Sequence, residues 1–329
     1  MTTVIHRPNR RAALGLAGAL LAAPALRAQT AWPNGPIRIV VPFAPGGSTD
    51  VVARLAAPGL TRRLGQPVVV ENRSGGAGSI GADAVAKSRP DGQTLLLTFD
   101  SHAVLAALLP RLSFNLTEDL DPVMLIGGAP YVIGTRADKP YRGLGDLVAA
   151  AKARPDGVSY ASAGNGTLGH LTMILLQART GVSMPHIAYR GGGPAVSDAI
   201  AGNVEAVIGS AALLMPQVEG GALRALAQFG PARLPSLPAV PTAEEAGFPG
   251  LQAVAWWGVF APAGTPAPIV ARVNAALRET FEAEDLRRQL EQTQQARLVL
   301  SDPGGLKTFF DQQIETWGRV VRDNNVRPD

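Results

Sequence analysis

The 329-residue chain contains no cysteine. That absence excludes disulfides, thiolate nucleophiles and cysteine-ligated metal, and it predicts no lipid anchor, since there is no thiol to acylate. Histidine is almost as scarce. The four, at positions 6, 102, 170 and 186, include no pair spaced i, i+4 on one helix, so no metal constellation is legible and no cofactor is expected. The apolar stretch 12–26 has 15 residues, short of the ~20 that an untilted bilayer span needs, and no later stretch reaches that length. A Walker loop, a G-x-S-x-G elbow, low-complexity tracts and internal repeats are all missing. Net charge is missing too once the N-terminus is set aside. Of 30 Lys and Arg, four lie in residues 1–28 with no acid beside them, leaving 26 basic against 26 acidic residues. Such a balance gives no electrostatic reason to expect nucleic acid as a partner.

What is present begins with that N-terminus. Arg7, Arg10 and Arg11 precede the apolar stretch 12–26, and the small Ala28 follows. A basic head, a short apolar run and a small residue at the cut predict a cleaved secretory signal over 1–28 and a periplasmic location, with Sec and twin-arginine routes both open. A buried N-terminal helix is the alternative. The remaining length suits two ordinary domains. Gly (37) and Pro (27) are plentiful, which points to many tight turns.

Strand and helix patterns alternate along the chain. β-branched runs at 37–42, 68–70 and 94–98 are separated by helical patterns at 49–64 and 81–88, a βαβαβ rhythm that predicts a mainly parallel sheet. The rhythm resumes with strands at 132–135, 158–161, 184–188 and 206–208 and helices at 145–153, 167–180 and 195–201. A turn-rich passage at 231–249 leads to a strand at 254–260 and amphipathic helices at 266–283 and 305–322. On that last strand Trp256 and Trp257 face opposite sides, so only one can reach a cleft.

Four loops follow strands and can carry binding chemistry. In Pro42-Phe-Ala-Pro-Gly-Gly-Ser-Thr-Asp50, Gly46 and Gly47 let backbone approach a ligand, and Ser48 or Thr49 can cap the next helix, whose free amides attract an anion without Lys or Arg. Phe43, Ala44 and Asp50 complete that candidate set. A plain strand-to-helix turn explains the same residues equally well. The second loop, Ser162-Ala163-Gly164-Asn165-Gly166-Thr167, continues to Gly169 and spells G-x-G-x-x-G. No Asp or Glu lies between Gly169 and Asp198, however, where a dinucleotide ribose would need one. A helix N-terminus suited to a carboxylate remains. The third loop offers Tyr189 as a hydroxyl donor or stacking ring, and Arg190 as a carboxylate partner or a solvated side chain. The fourth offers Asp100 and Ser101, where Asp100 would favour a ligand amine or cap the following segment. An exported hydrolase would need Ser48 within hydrogen-bond reach of His102 or His170.

These stretches resemble the substrate-binding proteins of tripartite tricarboxylate transporters, the Bug receptors. The resemblance rests on 36–50, on Leu64-Gly-Gln-Pro-Val-Val-Val-Glu-Asn-Arg73, and on Gly81-Ala-Asp-Ala-Val-Ala-Lys-Ser-Arg-Pro-Asp-Gly92. It continues through Tyr160-Ala-Ser-Ala-Gly-Asn-Gly-Thr167, Tyr189-Arg-Gly, Leu223-Arg-Ala-Leu-Ala227 and Ala261-Pro-Ala-Gly-Thr-Pro266, almost the whole chain after residue 28. It implies an α/β, two-lobed periplasmic binding protein (flytrap) fold, with mainly parallel sheets flanked by helices. The lobes would comprise 29–128 with 229–329, and 129–228. It further implies a monomeric, non-enzymatic receptor that closes on a small carboxylate, gripped by 43–50 and 162–167, and passes it to membrane transporter subunits. A sensory protein feeding a signalling receptor, or less favourably the exported hydrolase, are the alternatives. Arg190 replaces the commoner Lys of the family, and Gly209-Ser210 stands where an Asp-Asn pair is frequent.

Overall fold

The computed structural model describes residues 32–109 and 111–327; the expected export signal at 1–28 lies outside them. The β-branched run Ile37–Val41 forms β1, with four of five residues buried. It leads into α1 (Ser48–Leu64), where Asp50 lies in the first turn, Arg62 and Arg63 in the last, and Gly65 ends the helix in the left-handed region. These are the charge signs that the helix dipole favours at each end, with a residue at C′ that needs no Cβ. β2 (Val68–Asn72), α2 (Ser79–Ala86) and β3 (Thr94–Phe99) follow. β1 pairs in parallel with both β2 and β3.

Two long strands then set the architecture. β4 (Leu120–Arg136) pairs antiparallel with β9 (Val254–Pro262) from Leu120 to Pro130, then with β7 (Ala206–Ser210) and β8 (Leu223–Gln228) from Tyr131 onward. One strand therefore serves two sheets, and the change of partner falls between Pro130 and Tyr131. The second sheet adds β5 (Tyr160–Ser162) and β6 (His186–Ala188), with β5 parallel to β6 and β7. Among the described residues the full path is β2-β1-β3-β9-β4-β7-β5-β6, with β8 and β10 (Arg297–Leu298) also on β4. The parallel strands lie toward the edges and the centre is antiparallel. The alternation of strands and helices does not foretell that centre, because Pro122, Gly127, Gly128 and Pro130 punctuate β4 like a series of turns. Bulges between Pro122 and Met124 and between Leu125 and Gly127 accommodate them.

Helices cover both faces: α3 (Leu105–Leu108), α4 (Leu144–Ala153), α5 (Leu168–Thr180), α6 (Gly192–Ala201), α7 (Ala211–Glu219), α8 (Ala267–Glu282), α9 (Glu284–Gln294) and α10 (Pro303–Asp323). One core gathers Val41, Val52, Leu60, Trp257 and Leu277 with Ala161, Val207 and Leu214, so it runs under both sheets. A second holds Tyr131, Ile133, Tyr160, Leu171 and Phe229; a third holds Val40, Leu96, Trp256, Phe260 and Phe310. The 21-residue α10 joins the last two, with Leu306 and Phe310 in the third core and Trp317, Val320 and Val321 in the second. Trp256 and Trp257 enter different cores, as opposite faces of a strand require. Residues 229–253 contribute Phe229, Ala243, Leu251 and Ala253 to the second core before β9 returns to the first sheet.

Candidate functional site

Strand direction decides where a site can form. β3 is antiparallel to β9, β9 to β4, and β4 to β7, so β5, β6 and β7 run opposite to β1, β2 and β3. The C-terminal ends of the two parallel sets therefore point toward each other. Phe99, at the end of β3, is level with Trp257 and through it with Gly127, whereas Ser210, at the end of β7, is level with Tyr131. Four residues of β4 separate those levels, about 13 Å at ~3.3 Å per residue. A small molecule fits that span, at the strand ends where open α/β sheets bind ligands.

Helices start on both sides of this gap. α1 begins after Gly47 with no side chain capping it, and its first ladder bond runs from Val51 N–H to Gly47 C=O at 3.0 Å. The amides of Ser48, Thr49 and Asp50 therefore precede the ladder. From the opposite side, α6 after Gly191 and α7 after Ser210 likewise lack a side-chain cap. α5 alone of these is capped, with Thr167 Oγ1 accepting from His170 N–H. Uncapped N-termini carry partial positive charge and outward amides, a receptor for an anion.

The polar side chains expected at the site mostly hold the loops in shape. Asp50 is 3% exposed; its Oδ2 accepts from Gly46 N–H and Arg54 Nε at 2.9 Å each, and its Oδ1 accepts from Asn72 Nδ2 at 2.9 Å. Burial opposes its charge, but those donors prevail and keep the carboxyl below its ordinary 3.8. Gly46 takes a positive φ of 84° so that its amide can reach back to Asp50. Ser48 Oγ donates to Gln294 Oε1 at 2.6 Å and accepts from Trp257 Nε1 at 3.2 Å. Thr49 is buried, Phe43 half-buried against Phe99, and Ala44, Gly46 and Gly47 exposed.

The second loop follows the same principle. Ser162 is fully buried, 2.7 Å from His186 Nε2, and it also accepts from Gly164 N–H. Thr167 Oγ1 donates to Gly164 C=O at 2.7 Å, and His170 Nδ1 accepts from Gly166 N–H at 3.0 Å. The His170 and His186 rings stack at 4.0 Å, with Tyr160 on the far face of His186. Ala163, Asn165 and Thr167 are half-exposed; Gly164 and Gly166 are buried. The third loop is tied to the second by Tyr189 N–H to Ser162 C=O and Gly191 N–H to Ala163 C=O, each 3.1 Å. Burial, then the bond to Asp198 at 2.5 Å, pushes the Tyr189 hydroxyl up to about 12, so it is already spent on Asp198. Arg190 is exposed.

Asp100 and Ser101 lie between the two sides. Asp100 is 3% exposed and its Oδ2 accepts from Tyr131 Oη at 2.9 Å. Burial pushes its carboxyl up to about 7, the Tyr131 and Ser101 hydrogen bonds opposing that only in part. Ser101 Oγ is buried without a hydrogen-bond partner among the described residues. His102 is packed between Phe260 and Phe310, remote in its contacts from Ser48.

Two further loops lie at the same strand ends: sequence reading overlooks the first, and notes the second, Gly209-Ser210, only as a departure from the family pattern. Residues 74–79 join β2 to α2, and Gly75, Gly76, Ala77 and Gly78 all have positive φ; a Cβ on Gly78 would lie 3.3 Å from the Phe43 ring. Gly209 and Ser210 precede the uncapped α7. Both repeat the strand, small-residue turn and helix order seen at 42–50. Among the described residues, no group of three or more His, Asp or Glu could hold a metal ion, and no helix is long and apolar enough to cross a membrane.

Comparison with known proteins places this geometry in context. Residues 52–326 match the family described as tripartite tricarboxylate transporter family receptor. BugT of Bordetella pertussis is 40% identical over 298 residues, covering 90% of this chain and 91% of that protein. Among solved structures, Rpa4515 of R. palustris with adipate is 31% identical with a TM-score of 0.81, covering 91% of this chain and all (100%) of the other. MatC of Rhodopseudomonas palustris with bound malate is 33% identical with a TM-score of 0.76, covering 88% and 100%.

Proposed function

The chain belongs to the tripartite tricarboxylate transporter receptor family, and on that premise we propose that it is an exported, periplasmic receptor for a small carboxylate, which it binds without transforming. The observation that carries this reading is the convergence of the uncapped N-termini of α1, α6 and α7 on one gap between opposed strand ends. Each can give amide hydrogen bonds to an oxyanion whose water has been excluded. Adipate and malate in the two similar structures supply the ligand class. Side chains of 43–50 and 162–167 shape the loops, and the amides those loops do not use internally, residues 48–50 first, meet the ligand. The serines support binding over hydrolysis: Ser48 is held by Gln294 and Trp257, while Ser162, beside His186, is fully buried.

We assign residues up to 128 and from 254 onward to one lobe and 129–253 to the other. This moves the return crossing from 229 to β9, because Phe229, Ala243, Leu251 and Ala253 pack in the second core on either side of Leu234 and Leu237, which join the first. Closing the lobes brings α1 toward α6 and α7, and the closed form is what membrane subunits of a transporter would engage. Isothermal titration against C4 to C6 dicarboxylates, with adipate and malate first, tests the reading. Micromolar or tighter binding of at least one is expected. A folded protein that binds none of them contradicts it.

A further inference from the structure

Asp100 is a buried carboxyl that the amide-based grip leaves unused. It follows Phe99, whose ring meets Phe43 of the 43–50 loop at 6.4 Å. Its partner Tyr131 is the first residue of β4 to join the second sheet, and a Cβ on Gly169, in the first turn of α5, would lie 3.3 Å from Tyr131 Cε1. One carboxyl is thus linked through one ring to each loop set, on the floor of the gap. The groups that act on it are the Tyr131 hydroxyl and the Ser101 amide. A ligand carboxylate seated above it would be a second negative charge in the same water-poor space, and two such groups do not both stay ionised.

We propose that capture of a carboxylate in this cleft takes up one proton on Asp100, so that the ligand keeps its charge and the protein acid is neutral. This rests on the receptor reading above. The proton comes from solvent and settles on Oδ1; Oδ2 still accepts from Tyr131, and Oδ1–H becomes a donor. Burial by itself brings Asp100 close to this state, with the carboxyl at about 7. Other titratable groups around the segment are accounted for. His102 is lowered to about 3 by burial and stays neutral. β9, α3 and residues 76–78 carry no titratable side chain. On α10, Lys307 pairs with Asp311 and Glu315 with Arg319, while Arg322 and Asp323 are exposed. From α5, His170 accepts the Gly166 amide.

The test is calorimetric titration of adipate and malate into the wild-type chain, Asp100→Asn and Tyr131→Phe at pH 6, 7 and 8. Two buffers of different ionisation enthalpy at each pH report proton uptake. Wild-type affinity is expected to fall about tenfold from pH 6 to pH 8, as linkage to one proton on a carboxyl near 7 requires, with uptake approaching one proton at pH 8. Asp100→Asn should hold its pH 6 affinity at pH 8 with no uptake. Tyr131→Phe, which removes a bond favouring the ionised form, should move the decline to higher pH, and this arm remains if the Asn variant does not fold. Binding without uptake and without pH dependence overturns the proposal while leaving the receptor reading standing. The wild-type profile persisting in Asp100→Asn also overturns it and points to His170. No binding by any variant at any pH overturns the receptor reading itself, and this proposal with it.

Discussion

Asp100 and His102 stand two residues apart in one buried segment, and burial moves their titrations in opposite directions. The Asp100 carboxyl rises from 3.8 to about 7. The folded chain therefore keeps a proton that the unfolded chain gives up, and the stability from this group is full below pH ~4 and lost as the pH climbs to ~7. His102 falls from 6.5 to about 3, because its ring is buried between Phe260 and Phe310 with neither nitrogen hydrogen-bonded to a described residue. Here the unfolded chain takes the proton that the folded chain refuses. Its stability is full above pH ~6.5 and lost as the pH drops toward ~3. At about 1.4 kcal/mol per unit, the swings are about 4 kcal/mol for Asp100 and about 5 kcal/mol for His102, and between pH ~4 and ~6.5 they nearly cancel. Asp100→Asn removes one slope and leaves the other. Urea unfolding of the ligand-free proteins from pH 4 to pH 8 should show the variant gaining about 4 kcal/mol relative to wild type across that range. His102→Leu should gain relative to wild type as the pH falls. Curves for wild type and Asp100→Asn that stay parallel would refute the reasoning, since a purely local packing change has no such pH signature.

Three other substitutions probe the loops. Asp50→Ala strands the Gly46 amide, Arg54 and Asn72, and should cost about 2–4 kcal/mol at neutral pH in chemical denaturation; because the Asp50 carboxyl is held below 3.8, that penalty should fade only at still lower pH. Gly166→Ala places a Cβ 2.6 Å from Leu108 Cδ1 at a φ of 72°. Its expected loss of about 2 kcal/mol should be partly recovered by adding Leu108→Ala, measured as a double-mutant cycle. A Cβ on Gly46 would meet nothing within 4 Å, but Gly46→Val forces a β-branched residue to a φ of 84°. It should cost about 1–2 kcal/mol in thermal unfolding and weaken carboxylate binding at least tenfold with the fold retained.

How much of this is legible in the sequence depends on range. The strand and glycine-turn order at 37–50 and 158–167 announces both loops, because β-branched runs, a helix stripe and small residues between them are local signals. The orientation of polar atoms is not local. Ser162 in Ser-Ala-Gly-Asn-Gly-Thr reads as a ligand contact, yet His186 takes its hydroxyl through the pairing of β5 with β6. Asp50 reads the same way until Asn72, 22 residues on, is seen to share it. β4 is the largest omission, since its glycines and prolines resemble turns and only its partners β7, β8 and β9 make it one strand. α7, with Pro216 inside it, and residues 74–79, with Ala77 at positive φ, are hidden for similar reasons.

The central claim is that backbone amides at opposed helix N-termini, and not Arg190, hold the ligand's charge. A crystal structure of this chain grown with the tightest-binding dicarboxylate tests it directly. The account predicts one carboxylate within hydrogen-bond distance of the amides of residues 48–50, with the lobes closed so that α6 or α7 meets the ligand from the other side. A ligand whose carboxylates sit on Arg190 or another exposed cation, with those amides facing water, would contradict it.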